Sequence, residues 1–217
     1  MKRAVYCLWT GSNPMSEARR ACLDQLRKEI GCELVLLDKD TIPSYEVPGH
    51  PFHPAYPYLS ETHKADYLRT YLMHFYGGGY SDIKRTTGSW VPSFEAMDSK
   101  EAWVCGYGET GANCIATGPE NRDLVHKWRD LVGNGGYICK PGTPLTTEWY
   151  TEMVSFLDRK LEALRVHPAA GPRDCAESSA YPIEWNEMLG RIFHRVCYKY
   201  KEHLLSTLPI CEVHGYL

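Results

Sequence analysis

Apolar positions along the chain switch between two periods. Ala4–Trp9 (AVYCLW) and Glu33–Leu37 (ELVLL) are short apolar runs rich in strand formers. Between them, apolar residues at 15, 18, 22, 23, 26 and 30 keep helical spacing. Asn13 followed by Pro14 reads as an N-cap and a first-turn proline, and Gly31 as the C-terminal cap. The β-α-β order predicts a parallel strand pair joined by a right-handed crossover. The unbroken ELVLL run suits a sheet covered on both faces. Residues 43–58 hold five prolines interleaved with Tyr and Phe, a long irregular loop of the kind that often carries function. Ser60 then caps a helix running to about Tyr76, stopped by Gly77-Gly78-Gly79. A third strand, Tyr80–Ile83, follows at once.

The second half predicts short strands at 102–107, 113–117 and 137–140. Pro119 and Pro144 open helices at about 120–132 and 144–165, the latter with apolar positions 145, 149, 153, 156, 157, 161 and 164. A last helix spans about 183–205, with Gly190 as its weak point. Two segments, from Cys114 and from Tyr137, echo one another as strand, Pro/Gly turn and helix, too few copies for a solenoid. The fold class expected is α/β: one domain over 1–217 with a mixed, mostly parallel sheet flanked by helices.

Length and composition narrow the class. The chain has 217 residues, enough for one domain with a real core. A net charge of -3 leaves no global basic field for nucleic acid. No apolar run reaches the ~18 residues of a membrane span. The apolar start at Ala4–Trp9 is too short for a signal peptide and is followed by no small-residue cleavage site. Nine cysteines lie scattered without CxxC spacing, which points to thiols in a reducing, cytoplasmic compartment. His50 and His53, in the proline-rich loop, are a candidate metal pair set against simple loop packing. There are 15 Tyr and 6 Trp against 5 Phe. Tyr and Trp join a stacking face to a polar tip, so their excess hints at wet concave surfaces such as sugar or nucleotide clefts.

The segment richest in chemistry runs from His63 to Lys84. At about 100° per residue, Ala65, Leu68, Leu72, Phe75 and Tyr76 share a helix face. Asp66 and Arg69 are i, i+3 neighbours near its edge, where a cleft wall would lie, or where a solvated ion pair would. Three successive glycines imply positive φ or a close backbone approach. Asp82 then falls at a strand's carboxyl end, where open α/β sheets bind ligands.

Residues 64–84 resemble the donor-binding core of DXD-type sugar-nucleotide glycosyltransferases. That family includes capsular-polysaccharide-synthesis enzymes, glycosyltransferase family 32-like proteins and the small nonprocessive transferases of chlorella-type algal viruses. The matching features are Ala65-Asp66-x-x-Arg69, a helix, Gly77-Gly78-Gly79-Tyr80 and the strand ending Ser81-Asp82-Ile83-Lys84. Trp9-Thr10-Gly11 gives looser support. The resemblance implies a GT-A-type nucleotide-diphospho-sugar transferase fold with a donor half (1–90) and an acceptor half (91–217). It implies transfer of a hexose or 6-deoxyhexose, such as glucose from UDP-glucose, from a UDP-sugar to a glycan acceptor in polysaccharide biosynthesis, leaning to retention. Catalytic residues would be Asp66, Arg69 and Asp82. The donor would touch Trp9, Thr10, Gly11, Asp66, Arg69, Gly79, Ser81, Asp82 and Lys84, with Trp9 stacked on uracil. The acceptor would meet Asn134, Tyr181, Glu184 and Trp185. Mn²⁺ or Mg²⁺ would sit on Asp82 and His214. Lys84 stands where the family has its second Asp, so strict metal dependence is in doubt. Were the enzyme inverting, Glu184 or Asp174 would be candidate bases. A viral member would work in the host cytoplasm, alone or within a larger multidomain transferase.

Other classes fit less well. Trp9-Thr-Gly-Ser-Asn-Pro14 breaks the GxGxxG spacing of nicotinamide-binding folds, no GxxxxGK[ST] occurs, and no local signature frames a nucleophilic cysteine. A non-catalytic carbohydrate- or nucleotide-binding module is the alternative from another class. It would use the aromatics without needing Asp66, Arg69 and Asp82 in this arrangement.

Overall fold

The computed structural model of the chain describes residues 1–119 and 121–212. Its centre is a mixed sheet of six strands among those residues, in the order β2-β1-β3-β5-β4-β6. Strand β1 (Ala4–Trp9) lies parallel to both β2 (Glu33–Asp38) and β3 (Gly78–Ser81). Strand β5 (Val132–Cys139) runs antiparallel to β3 and to β4 (Val104–Gly108), and β6 (Leu204–Leu205) returns parallel to β4. Only β5 opposes the common direction, so the sheet is mixed and mostly parallel, as the pattern implied.

Alternation along β1 sorts the core into two layers. Tyr6 and Leu8 face one cluster, built with α2 (Glu61–Phe75), α4 (Pro144–Val166) and α5 (Gly190–Lys199). Val5 and Cys7 face the other, built with α1 (Glu17–Glu29) and α3 (Val91–Ser99). The predicted stripe of α4 is buried at Leu145, Trp149, Met153, Phe156, Leu157 and Leu164. No helix among the described residues is long and apolar enough to cross a membrane.

The three glycines after α2 each meet a separate demand. Gly77 takes φ +63° and donates its N–H to the Leu72 carbonyl at 3.0 Å, closing the helix. Gly78 takes φ +87°, and a Cβ there would lie 2.8 Å from the Ala4 carbonyl oxygen. At Gly79 a Cβ would lie 2.8 Å from Val5 Cγ2 and 3.2 Å from the Trp90 ring. The chain thereby leaves the helix, enters the sheet beside β1, and delivers Asp82 to its carboxyl edge.

Several expected elements differ. Strand β3 begins in the glycine run and stops at Ser81, and β5 starts five residues before Tyr137. The N-cap of α1 is Ser16, whose hydroxyl accepts from Arg19 N, while the Asn13 carbonyl accepts from Trp9 Nε1. Residues 113–117 form no strand, because Ala112–Cys114 winds as a 3-10 turn in which Cys114 N and Ile115 N donate to the Gly111 and Ala112 carbonyls, and Ala116 N donates to His194 Nδ1. Arg122–Asp130 winds as 3-10 turns rather than an α-helix. The last helix starts only at Gly190, since Glu187 and Glu177 carboxylates cap the amides of Glu184 and Trp185 in a turn. It ends at Lys199, and the chain then joins the sheet as β6.

Candidate functional site

Strand β1 sends its crossover to β2 on one side, and β3 joins it on the other. The carboxyl ends of β1 and β3 therefore part at a topological switch point, where α/β sheets form ligand crevices. A cleft of about 500 Å³ opens there. Trp9, Thr10 and Gly11 form one wall, Asp66 and Arg69 of α2 another, and Asp82, Ile83 and Lys84 the floor. Asn134 of β5 and the segment Pro172–Gly190, through Arg173, Trp185 and Asn186, close the far side.

The floor is a chain of alternating charges. Arg69 Nη2 donates to Asp66 Oδ1 at 2.7 Å. Its Nη1 donates to the Asn134 carbonyl at 2.9 Å and lies 3.4 Å from Asp82 Oδ1. Tyr80 donates its hydroxyl to the same Asp82 oxygen at 2.9 Å, while its ring lies under the Arg69 guanidinium at 4.5 Å. Lys84 Nζ donates to Asp82 Oδ2 at 2.8 Å. Asp66 and Arg69 are only 4% and 7% exposed, so the pair is a buried network and not the solvated bridge the spacing allowed. Arg69 Nε and the Tyr137 hydroxyl, both buried, have no protein partner among the described residues.

The two carboxylates respond oppositely to this setting. Burial penalises the Asp82 anion, but Lys84 and Arg69 outweigh it and hold its pKa below the ordinary value. Burial dominates at Asp66, whose pKa is raised despite Arg69 alongside. Arg69 itself stays charged between them, its burial outweighed by Tyr80, Asp66 and Asp82. The arrangement thus sets Asp82, its pKa lowered by the cations that clamp it, next to Asp66, whose pKa burial raises.

Most residues singled out from sequence meet here. Trp9, Thr10, Gly11, Asp66, Arg69, Asp82, Lys84, Asn134 and Trp185 line the cleft. Trp9 is fixed by its bond to the Asn13 carbonyl at 2.7 Å, and Thr10 by one to the Glu61 carbonyl at 2.9 Å. Others stand behind the walls. Gly79 packs on Val5 and Trp90, and Ser81 is buried with its hydroxyl donating to the Asp82 carbonyl. Tyr181 is buried against His63, its hydroxyl 3.0 Å from Nδ1. Glu184 pairs with Arg191 of α5, and Asp174 accepts from the amides of Ala170 and Gly171 in its own loop. His53 uses both ring nitrogens, on Ala55 N and Asp158, while His50 packs on Phe75, which makes the pair loop packing. His214 lies outside the described residues.

The cleft also holds residues the sequence did not single out. Arg19, in the first turn of α1, donates from Nη1 to the Ile83 carbonyl at 2.9 Å. Arg173 places its guanidinium 5.4 Å from the Trp185 ring centre. Nothing in helical periodicity separates Arg19 from Arg20, so only the fold reveals it. With Arg69 and Lys84, these make four cationic side chains beside Glu61, Asp66 and Asp82 on the lining among the described residues.

The resemblance implied Mn²⁺ or Mg²⁺ held by Asp82. Such cations demand about six oxygen ligands in near-octahedral array. Among the described residues no three His, Cys, Asp or Glu side chains converge. Both Asp82 oxygens are already engaged, one by Lys84 and the other by Tyr80 and Arg69. A divalent ion would have to displace Lys84, so the described donor set does not fit one.

Fold and site together define a mixed α/β protein with a cleft lined by paired charges at the carboxyl edge of its sheet. Comparison with protein-family models and with curated proteins gives no match. Among solved structures, the chain is similar to the PaToxG glycosyltransferase, at 12% identity and a TM-score of 0.48, over 92% of this chain and 69% of that one. A likeness of that order bears on neither activity nor site.

Proposed function

We propose that the chain is a nonprocessive glycosyltransferase that moves a hexose or 6-deoxyhexose from a UDP-sugar to a glycan acceptor, on a GT-A-type scaffold. The observation that carries this reading is the Asp66–Arg69–Asp82–Lys84 network on the floor of the cleft, buried at Asp66 and Arg69 and half-buried at Asp82 and Lys84. Holding charges away from water is costly unless they are paired, and ionisable groups perturbed in this way inside a cleft mark a candidate functional site.

The chemistry follows from the charges. The bond between sugar C1 and the β-phosphate oxygen breaks, and its electron pair leaves on the diphosphate. An acceptor hydroxyl oxygen forms the new bond to C1, and its proton passes to the departing phosphate oxygen or to solvent. Arg69 stabilises the growing negative charge, which is the largest lever available. Asp66 and Asp82 accept hydrogen bonds from sugar and ribose hydroxyls. Trp9 offers a stacking wall for the base. Trp185, 37% exposed beneath Arg173, offers one for an acceptor sugar. Retention needs no acceptor base, which agrees with Glu184 being paired to Arg191 of α5 and Asp174 being held by the amides of its own loop.

Thermal melting with UDP tests the reading. A ligand that binds only the folded state raises the melting temperature as its concentration exceeds Kd. UDP at about 1 mM, with and without Mn²⁺, is expected to raise it. Asp82→Ala should abolish UDP-sugar hydrolysis while leaving the fold intact. An unchanged melting temperature in both conditions, or wild-type turnover by Asp82→Ala, removes the proposal's support. A rise with UDP but no turnover of any sugar nucleotide would instead mark a nucleotide-binding module.

A further inference from the structure

We infer that the proline-rich loop forms a second binding site, beside the main cleft, that takes one neutral pyranose ring of a glycan. The site goes beyond the donor reading above and does not depend on it. Three observations carry it.

The first is how the loop is held. Ile42–Tyr45 and Tyr56–Tyr58 wind as 3-10 turns. Between them, tyrosines of α2 and of its C-cap fasten the backbone. Tyr67 accepts from His53 N at 2.9 Å. Tyr71 accepts from Val47 N at 2.7 Å and donates to the His50 carbonyl at 2.6 Å. Tyr76 donates to the Tyr45 carbonyl at 3.0 Å. A loop fastened at so many points is ordered before a ligand arrives, which lowers the entropy cost of binding.

The second is the hollow that the fastened loop encloses, of about 260 Å³. Thr10 lines both this hollow and the main cleft, so the two share a wall. Ile42 and the half-buried Phe52 and Tyr56 form its apolar side. The Phe52 and Tyr56 ring centres lie 5.4 Å apart, with planes inclined at 38°. Tyr67 and Tyr71 brace Phe52 edge-on from the core, at 6.1 and 5.0 Å. A volume below the ~300–1,000 Å³ of drug-sized pockets suits a single ring. The electron-rich faces of aromatic rings attract weakly positive C–H groups, which a pyranose presents on its own faces.

The third is the polar rim of Lys39, Glu46 and Lys64. Lys64 Nζ donates to Glu61 Oε1 at 2.9 Å, and Lys39 Nζ to Asp40 Oδ1 at 2.7 Å. Glu46 Oε2 accepts from Phe52 N at 2.9 Å. Both cations are thus paired with carboxylates, so the rim holds no unmatched positive charge to select an anion. Each group keeps hydrogen-bonding capacity, since an ammonium has three protons and a carboxylate about four lone-pair sites. The Tyr56 hydroxyl bonds to no protein group among the described residues, and burial raises its pKa, so it remains a phenol able to donate. A neutral ring dense in hydroxyls uses the aromatic side and the mixed rim together. A glycan held here has a raised effective concentration at the main cleft, a consequence that does rest on the transferase reading.

Selective ¹⁵N-phenylalanine labelling of the full chain gives five amide signals, and Phe52→Tyr identifies the one at the rim. Methyl glucoside, methyl galactoside and methyl rhamnoside are each titrated to about 50 mM, because a ligand of about a dozen heavy atoms binds in the millimolar range. At least one is expected to shift the Phe52 signal saturably, and to do so equally in saturating UDP. Tyr56→Leu, which removes ring and hydroxyl, and Lys64→Gln should each weaken that binding about fivefold or more. Unliganded melting temperatures identify a variant that fails to fold, and the other then decides. No Phe52 shift with any of the three glycosides, or unchanged affinity in the folded variants, overturns the inference. Displacement of the glycoside by UDP also overturns it, by giving the hollow to the nucleotide, and leaves the sugar-nucleotide reading standing. A glycoside shift at Phe52 without any effect of UDP on the melting temperature overturns that reading instead and upholds the second site.

Discussion

Asp66 and Asp82 lie on either side of one guanidinium, yet the protein treats them differently. Asp82 has three partners, two of them cationic, and its pKa falls below the ordinary 3.8 in spite of burial. Asp66 is dominated by burial and its pKa rises above that value. The signs have opposite consequences for stability. A carboxyl with a depressed folded pKa stabilises the fold above the unfolded value and loses that contribution as pH falls through the folded one. A carboxyl with a raised folded pKa stabilises the fold below the unfolded value and loses that contribution as pH rises through the folded one. The melting-temperature gap between wild type and Asp82→Asn should therefore be full at pH 7 and narrow as pH drops below about 3.8. The gap for Asp66→Asn should be widest below about 3.8 and narrow as pH rises above that value. Parallel pH trends in the two variants would show that the carboxyls do not differ in this way. Sequence spacing placed Asp66 and Arg69 side by side, because i, i+3 contact is a property of any helix. It missed their burial, because that depends on β5 and on the 172–190 segment arriving over the helix from far along the chain.

Strand β5 is the element that sequence reading most underestimated. Only its end, near 137–140, had the apolar pattern of a strand, because Gly133, Gly135 and Gly136 are poor strand formers by propensity. In the fold those glycines are what lets the strand pass the site. A Cβ on Gly133 would fall 2.0 Å from the Tyr107 ring, and one on Gly136 would fall 2.8 Å from Cys211 Sγ. The strand brings the Asn134 carbonyl onto Arg69 and the Gly135 carbonyl onto Asp82 N. Gly133→Ala should accordingly cost about 1–3 kcal/mol, the usual penalty of overpacking, read from urea melts. It should also weaken UDP binding, because the shift required moves Asn134. A neutral Gly133→Ala would mean that Tyr107 swings aside freely and that β5 does not brace the floor. Elements with strong local patterns fared differently. β1 and α4 match their expected bounds within a residue or so, since apolar periodicity alone defines them. α5 shrank and 113–117 lost its strand where side chains of Asn121, Glu177, Glu187 and His194 cap the backbone, contacts that periodicity does not encode.

At the scale of the whole molecule, a chain of net charge -3 gathers, among its described residues, four cationic side chains around a cleft with three carboxylates. The cations come from α1, from α2, from the end of β3 and from the 172–190 segment. That convergence sets no signature in composition, where Lys+Arg 24 and Asp+Glu 27 nearly cancel. It becomes visible only when the sheet order places β1 and β3 side by side with β5 beyond them. A field of this kind has a measurable consequence. Mobile ions screen charges separated by more than ~8 Å at physiological ionic strength and by far less at 1 M. The close contacts of Arg19 with the Ile83 carbonyl and of Lys84 with Asp82 are screened least, whereas the field of Arg173 at the mouth is screened most. Raising NaCl from about 0.05 to 0.5 M should therefore weaken UDP binding several-fold, mainly through slower association, because steering depends on the long-range field. Uridine, which lacks the diphosphate, should bind with nearly the same affinity at both salt concentrations. Arg173→Ala should flatten the salt dependence of UDP without abolishing binding. Equal salt dependence for UDP and uridine would show that the cleft grips the nucleoside alone, and that the cations converging on Asp82 serve the fold rather than the ligand.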